Sequence, residues 1–263
     1  MNKSHWNKMY QGSPVQEPWS PRHDQVAAGV KEQLSAVHGR ILLLGVSPTL
    51  SKIGFDVTAA DANPAVVRAR WPGNTPGRRA IVADWQQLPF PAGTFAACIG
   101  DGSTNALPHP VAVRSLYENI SRVLRAGGTF VSRTYVAPDV GETVAEVANA
   151  ARQGRCSSFV YFKFRLAMAI AAEQSEPSVS VRSIRAAFNA HFPDRDVLPD
   201  MTGWNRSEIA KIDLYEPSPE IYNFPTRQRC LSMIPPGFAN IRFVPVGSYE
   251  LAERCPLLVM EKA

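Results

Sequence analysis

The sequence is poor in most of the residues that would advertise a chemistry. Its 263 residues include only four cysteines, Cys98, Cys156, Cys230 and Cys255, with no CxxC pair among them. Structural zinc needs such pairs, so no metal site is expected, and unpaired, scattered thiols fit a reduced cytoplasmic protein. The five histidines add no metal-ligand spacing. The opening "MNKSHWNKMY" lacks an apolar signal core, so export is not expected. The longest apolar run, "LAMAIAA" over Leu166–Ala172, is far too short for a bilayer, so no membrane partner is expected. The net charge of +5 comes without a lysine or arginine block, which argues against a nucleic-acid partner.

Glycine is missing where a nucleotide fold would want it. In "HGRILLLGVSPTL" the run Ile41–Leu44 reads as a buried strand ended by Gly45, but Val46, Ser47 and Pro48 follow. The dinucleotide fingerprint G-x-G-x-x-G therefore has one glycine of three, which opposes close approach of a pyrophosphate. No G-x-x-x-x-G-K-[ST] is present either, so a P-loop is excluded. The turn can still be built another way. Ser47 suits an N-cap and Pro48 the first helical position, predicting a short helix from Pro48 to Ile53 stopped by Gly54. Its free N–H groups would favour a carboxylate.

What is present is an alternation of strands and helices. Hydrophobic residues make up 45% of the chain and charged ones 19%, enough for a sizeable core. Strands are predicted at 40–44, 55–60, 79–83, 95–100 and 129–135. Helices are predicted at 23–37, from Asn63, and after His109, where Val113, Leu116, Ile120 and Leu124 form one stripe before Gly127. Short apolar strands alternating with helices imply an α/β fold with a mostly parallel sheet, whose ligands bind beyond the carboxyl ends of the strands. Three of these strands end in an acid: Asp61, Asp84 and Asp101. The predicted organisation is an aromatic arm over 1–21, a core over 22–138, a helical cap over 139–220, and a return to the core over 221–263. The final strands are predicted at 241–246 and 256–261. The basic stretch Arg152–Arg185 reads either as a solvated face or as a pocket wall for an acidic substrate.

Several segments together resemble the class I S-adenosylmethionine-dependent methyltransferases. "LLLGVSPTL" keeps Gly45 of the family's first motif, and Asp61 in "VTAADAN" matches its acid after the second strand. "VADWQQLPFPAGTFAACIGDG" matches the acid and following "LPF" of its third signal, and "RVLRAGGTFV" matches the run before strand five. The resemblance covers 38–136 well and the last two strands loosely. It implies a Rossmann-like seven-stranded sheet with a helical cap insertion before the last two strands. It also implies S-adenosyl-L-methionine as cofactor and S-adenosyl-L-homocysteine as product. The cofactor would lie against Gly45, Val46, Ser47, Asp61, Ala62, Asp84, Trp85, Gly100, Asp101 and Ser103. The resemblance further implies that Tyr10 and Trp19 of "HWNKMYQGSPVQEPW" fold across it.

Methyl transfer is an in-line displacement that depends mainly on positioning and on excluding water. A base is needed only for an acceptor that arrives protonated, and His109 and Tyr135 are the candidates. At most one of Arg133 and Tyr135 is expected to face the site. "GDGS" stands where family members that methylate the amino group of adenine or glutamine carry [DNS]-P-P-[FYW], and a nucleic-acid acceptor is not expected. A small-molecule acceptor, methylated on oxygen or nitrogen, is favoured, with Arg133, Lys163 and Arg165 as substrate-binding candidates. The alternative is a cofactor-binding protein without turnover, acting as a partner or regulator.

Overall fold

Four apolar residues in a row, Ile41–Leu44, are all buried when they form a strand covered on both faces. The computed structural model, which describes residues 23–263, places this strand within a seven-stranded sheet. The chain runs through α1 (His23–Gln33), β1 (Ile41–Leu44), β2 (Val57–Asp61), α2 (Pro64–Arg70), β3 (Arg78–Val82), β4 (Phe95–Asp101), α3 (Val111–Val123) and β5 (Leu124–Arg133). It continues through α4 (Val144–Arg152), α5 (Phe159–Glu173), β6 (Ser178–Ser180), α6 (Val181–His191), α7 (Leu198–Thr202), α8 (Arg206–Ala210), β7 (Ile221–Asn223) and α9 (Arg227–Met233). It closes with β8 (Phe238–Val244) and β9 (Leu257–Lys262).

The sheet order is β3-β2-β1-β4-β5-β9-β8. The first five strands pair in parallel, and β9 is antiparallel to both its neighbours. This is the Rossmann-like, mostly parallel sheet that the sequence implies. From β1 the chain moves outward to β2 and β3, then crosses to β4 on the other side. The reversal makes a crevice at the carboxyl ends of β1 and β4, where such folds bind ligands.

The described chain divides into two compact units. One contains the residues up to Tyr135 together with Cys230–Ala263, and the other is Val136–Arg229. The first unit packs the predicted stripe of α3 against the sheet. Val113, Leu116 and Ile120 are buried with Phe95, Phe130 and Leu258, and the Tyr117 ring meets Phe130 edge-on at 6.1 Å. The helix stops at Val123, earlier than Gly127 suggests. Leu124 already pairs with Phe95, and the register shifts before Ala97 pairs with Thr129.

The second unit is mainly helical. Thr143 and Glu146 form a capping box at α4, Ser158 caps α5, and Ser180 caps α6. As its nearly all-round apolar character predicts, α5 is largely buried. Phe159 and Phe162 pack there against Phe188 and Trp204, and the Trp204 Nε1 donates to the Cys156 carbonyl at 2.9 Å. The unit ends later than the predicted 220. The segment Ile221–Asn223 pairs antiparallel with Ser178–Ser180, and the Ala137 N–H donates to the Pro225 carbonyl at 2.9 Å. Three-residue strands are too short to show a period, which is why the sequence hides them.

Leu116 has no exposed surface. Leu116→Ala should cost about 2–5 kcal/mol by urea denaturation, with an unchanged denaturant slope.

Candidate functional site

The rim begins at one carbonyl. The Ala60 oxygen accepts the Gly45 N–H at 2.8 Å and the Trp85 indole Nε1–H at 2.6 Å. It thereby ties the end of β2 to the turns that follow β1 and β3. Gly45 sits at φ +91°, a conformation that side chains resist. A Cβ there would meet nothing closer than the Trp85 ring edge at 3.9 Å, so the space beside it is open. Val46 is buried and Ser47 half-buried.

The predicted Pro48–Ile53 helix is corrected to a single 3₁₀ turn, Leu50–Lys52. The Ser47 Oγ accepts the Leu50 N–H at 3.2 Å, and the Ser51 hydroxyl donates to the Pro48 carbonyl at 2.8 Å. Gly54, at φ +79°, presses on Ile41: a Cβ would lie 2.6 Å from the Ile41 Cδ1. The chain must turn there into β2, which leaves no room for a second helical turn. The expected helix tip for a carboxylate is therefore not formed.

The three acids divide in two. Asp61 is half-exposed at the end of β2, and its Oδ1 accepts the Asn63 N–H at 2.8 Å across the exposed Ala62. The Asn63 Oδ1 in turn caps α2 through the Ala65 N–H at 3.0 Å. The Asp61 carboxylate is thus oriented by its own turn, which takes one of roughly four acceptor positions. Asp84 is exposed and accepts the Gln86 N–H at 2.9 Å. A carboxylate so placed accepts from a vicinal diol or an exocyclic amine, and the Trp85 ring supplies an apolar wall.

Asp101 does not share this rim role. Arg133 grips it with two bonds of 2.7 Å, Nε to Oδ1 and Nη2 to Oδ2. Arg133 has no exposed side-chain surface and Asp101 only 9%. Burial alone would lower the Arg133 pKa, but the Asp101 charge and hydrogen bonds carry it well above its ordinary value. Arg133 therefore serves Asp101, not a substrate.

Tyr135 is buried as well. The Asn105 side chain clamps its backbone, donating to its carbonyl at 2.7 Å and accepting its N–H at 3.0 Å. Its ring lies 5.3 Å from the Arg133 guanidinium carbon, and a Cβ on Gly102 would touch it at 3.0 Å. Residues two apart share a face, so both turn into one internal cluster, and neither presents itself as a base or substrate ligand. Ser103 is likewise sealed. Its Oγ is buried without a hydrogen-bond partner among the described residues, and it lies 2.5 Å from where a Cβ on Gly100 would be. Gly100 is thus required by packing. His109 is half-buried in the loop between β4 and α3, with its Nε2 shielded from solvent. Tyr10 and Trp19 lie outside the described residues.

In the helical unit the two cations of α5 behave differently. Arg165 is held by Glu142, with its Nε at 2.9 Å from Oε2 and its Nη2 on Oε1. Hydrogen bonding to Glu142 holds its pKa up. It is therefore spent on a carboxylate of this chain. Elsewhere in the basic stretch Arg185 pairs with Asp213 and Glu216, while Arg152 bonds the His191 carbonyl and Arg155 the Gln153 side chain. Lys163 differs from all of these. It is buried, with its Nζ 5.5 Å from the Phe159 ring centre and 5.6 Å from that of Tyr215. Burial pulls its pKa down to about 8, Glu208 opposing and Lys211 reinforcing the shift.

Sequence reasoning missed Asn105 and Tyr249. The Arg133 Nη1 reaches the Tyr249 hydroxyl at 3.5 Å across 116 positions of sequence, so no local pattern could signal it. Among the described residues no cluster of three or more His, Cys, Asp or Glu could hold a metal, and no helix is long and apolar enough to cross a membrane.

Residues 45–132 match the family model described as a methyltransferase domain. No curated protein sequence matches the chain. Among solved structures, the PH0226 protein from Pyrococcus horikoshii OT3 aligns over 97% of this chain and 99% of its own, at 16% identity and a TM-score of 0.57. The N-methyltransferase NodS from Bradyrhizobium japonicum WM9, in complex with S-adenosyl-L-homocysteine, covers 97% of this chain and 95% of its own, at 10% identity and a TM-score of 0.53. An S-adenosylmethionine-dependent methyltransferase from Methanosarcina mazei covers 87% and 96%, at 13% identity and a TM-score of 0.50. At such identities the likeness establishes the fold.

Two stability predictions follow from these buried charges. Arg133→Met should cost about 3–5 kcal/mol in urea denaturation, because it strands the Asp101 charge, and adding Asp101→Leu should recover most of the loss. For Lys163, the unfolded amine titrates near 10.5 and the folded one at about 8. Between those values the unfolded chain binds more protons, so stability rises with pH across that window. The Lys163 penalty is full below pH 8 and gone above 10.5. Lys163→Met should flatten the rise and be more stable at neutral pH, as read by denaturation at several pH values.

Proposed function

We propose that this chain, which carries a class I S-adenosylmethionine-dependent methyltransferase domain, methylates an oxygen or nitrogen of a small-molecule metabolite. The observation that carries the cofactor part is the Asp61 carboxylate, half-exposed and aimed by its own turn beside the open space at Gly45. S-adenosyl-L-methionine fits this rim and supplies, when bound, a sulfonium methyl group with S-adenosyl-L-homocysteine as the product.

In this reading Asp61 accepts from both ribose hydroxyls, and Ala62 leaves that edge clear of bulk. Asp84 accepts from the adenine amino group while the Trp85 ring covers its face. Gly45 lends its C=O, and Val46 and Ser47 their backbone groups, to the amino-acid tail, since the Gly45 N–H is held by Ala60. The turn offers no helix dipole there, so recognition of the tail rests on those local groups. Gly100 and Asp101 act from beneath, through the shape of the loop that they and Arg133 fix, because the Asp101 charge is already balanced. An acceptor that arrives protonated must lose its proton as the new bond forms. His109, in the loop that follows β4, is the candidate base.

Asp61→Asn keeps an oxygen for the Asn63 turn but loses the charge. It should weaken S-adenosyl-L-homocysteine binding about tenfold by calorimetry, ~1.4 kcal/mol, with little change in unliganded melting. An unchanged affinity would remove Asp61 from the ribose role. In a thermal-shift series, S-adenosyl-L-homocysteine at a hundredfold excess over Kd should add about 2.7 kcal/mol, while NAD and NADP leave the melt unmoved. Stabilisation by the dinucleotides alone would overturn the reading.

A further inference from the structure

Lys163 is costly where it stands. The residue is 8% exposed, and its Nζ makes no hydrogen bond to the described residues; two aromatic faces contact it instead. A buried ammonium with unfilled donor positions is retained against its desolvation cost only with some compensation. The charged groups that act on it are Glu208 and Lys211, and these two are already paired with each other. Tyr215 and Tyr222 complete the polar surroundings. Burial keeps the Tyr215 phenol neutral, its pKa pushed up to about 12.

Lys163 also lines a partly open cavity with Phe164, Ile184, Tyr215, Tyr222 and Phe224. The space is about 10 Å³, room for a single water-sized atom. Its walls are mostly apolar and aromatic, and the lysine is its only charged lining residue. An oxygen fills such a space and satisfies an ammonium, and an anionic one also balances its charge. The body of the molecule bearing that oxygen would rest on the rings at the mouth.

We infer that this cavity receives one carboxylate oxygen of a small apolar acid, held by the Lys163 ammonium. Arg165, two positions along the same helix, is excluded as a second anchor because Glu142 occupies it.

The test uses the full chain with benzoate as the acid and benzamide as its neutral isostere, both titrated by calorimetry. S-adenosyl-L-homocysteine is titrated in parallel. Benzoate should bind at least about tenfold more tightly than benzamide, and Lys163→Met should remove that preference while leaving S-adenosyl-L-homocysteine affinity unchanged. Between about pH 6.5 and about pH 9.5 the benzoate affinity should fall as the ammonium loses its proton. Equal binding of benzoate and benzamide, no binding of benzoate, or an unaffected Lys163→Met variant would each overturn the inference. Should that variant fail to fold, the benzoate–benzamide comparison on the unaltered protein decides alone. Loss of S-adenosyl-L-homocysteine binding by the unaltered protein would strike the methyl-transfer reading and leave the carboxylate site standing.

Discussion

The Ala60 carbonyl oxygen accepts two hydrogen bonds, and the geometry of the rim at the ends of β1, β2 and β3 depends on both. The Gly45 N–H fixes how the chain leaves β1, and the Trp85 indole fixes how it leaves β3. Because β2 lies between those strands, its last carbonyls are placed to join them. Asp61, the next residue, inherits a set position. Its turn with Asn63 then starts α2. A glycine-poor first turn is tolerable in this arrangement, since the opening comes from the conformation of Gly45 and from the indole standing aside.

On the other flank of the crevice, rigidity comes from buried charge. Arg133 and Asp101 neutralise each other at the ends of β5 and β4, the guanidinium fully buried and the carboxylate largely so. The Gly102 N–H bonds the Arg133 carbonyl at 2.9 Å, and Asn105 clamps Tyr135. Such a pair contributes little net stability compared with apolar residues of similar size, but it is costly to break. Its effect is to hold one loop shape, with Ser103 tucked under Gly100.

The helical unit spends its charges differently. Arg185, Arg195, Arg206 and Arg229 settle on nearby carboxylates, where screening leaves each pair worth little. Lys163 alone is taken out of water without an ion pair of its own. The aromatic faces beside it offset part of the cost, since a ring quadrupole attracts a cation. That imbalance between cost and compensation sets it apart from the other cations of the unit.

Much of this was legible in the sequence, for reasons that are local. Ile41–Leu44 had to be a doubly covered strand, the Val113–Leu116–Ile120 stripe had to face a sheet, and Asn63–Pro64 had to start a helix. Asp61 and Asp84 fall at strand ends because apolar runs stop there, and that pattern alone put them on the rim. The partners of these residues were not legible. Asp101 reads like its two fellow acids until Arg133 is found across a strand pair, and Tyr249 comes to that cluster from a distant loop. Arg165 and Lys163 look alike on paper, yet one meets Glu142 and the other meets Phe159 and Tyr215. The one-dimensional order of residues determines which segments must be buried and where they must turn, because those depend on neighbours along the chain. Which charges end up balanced is decided by neighbours through space, and only the folded chain brings those together.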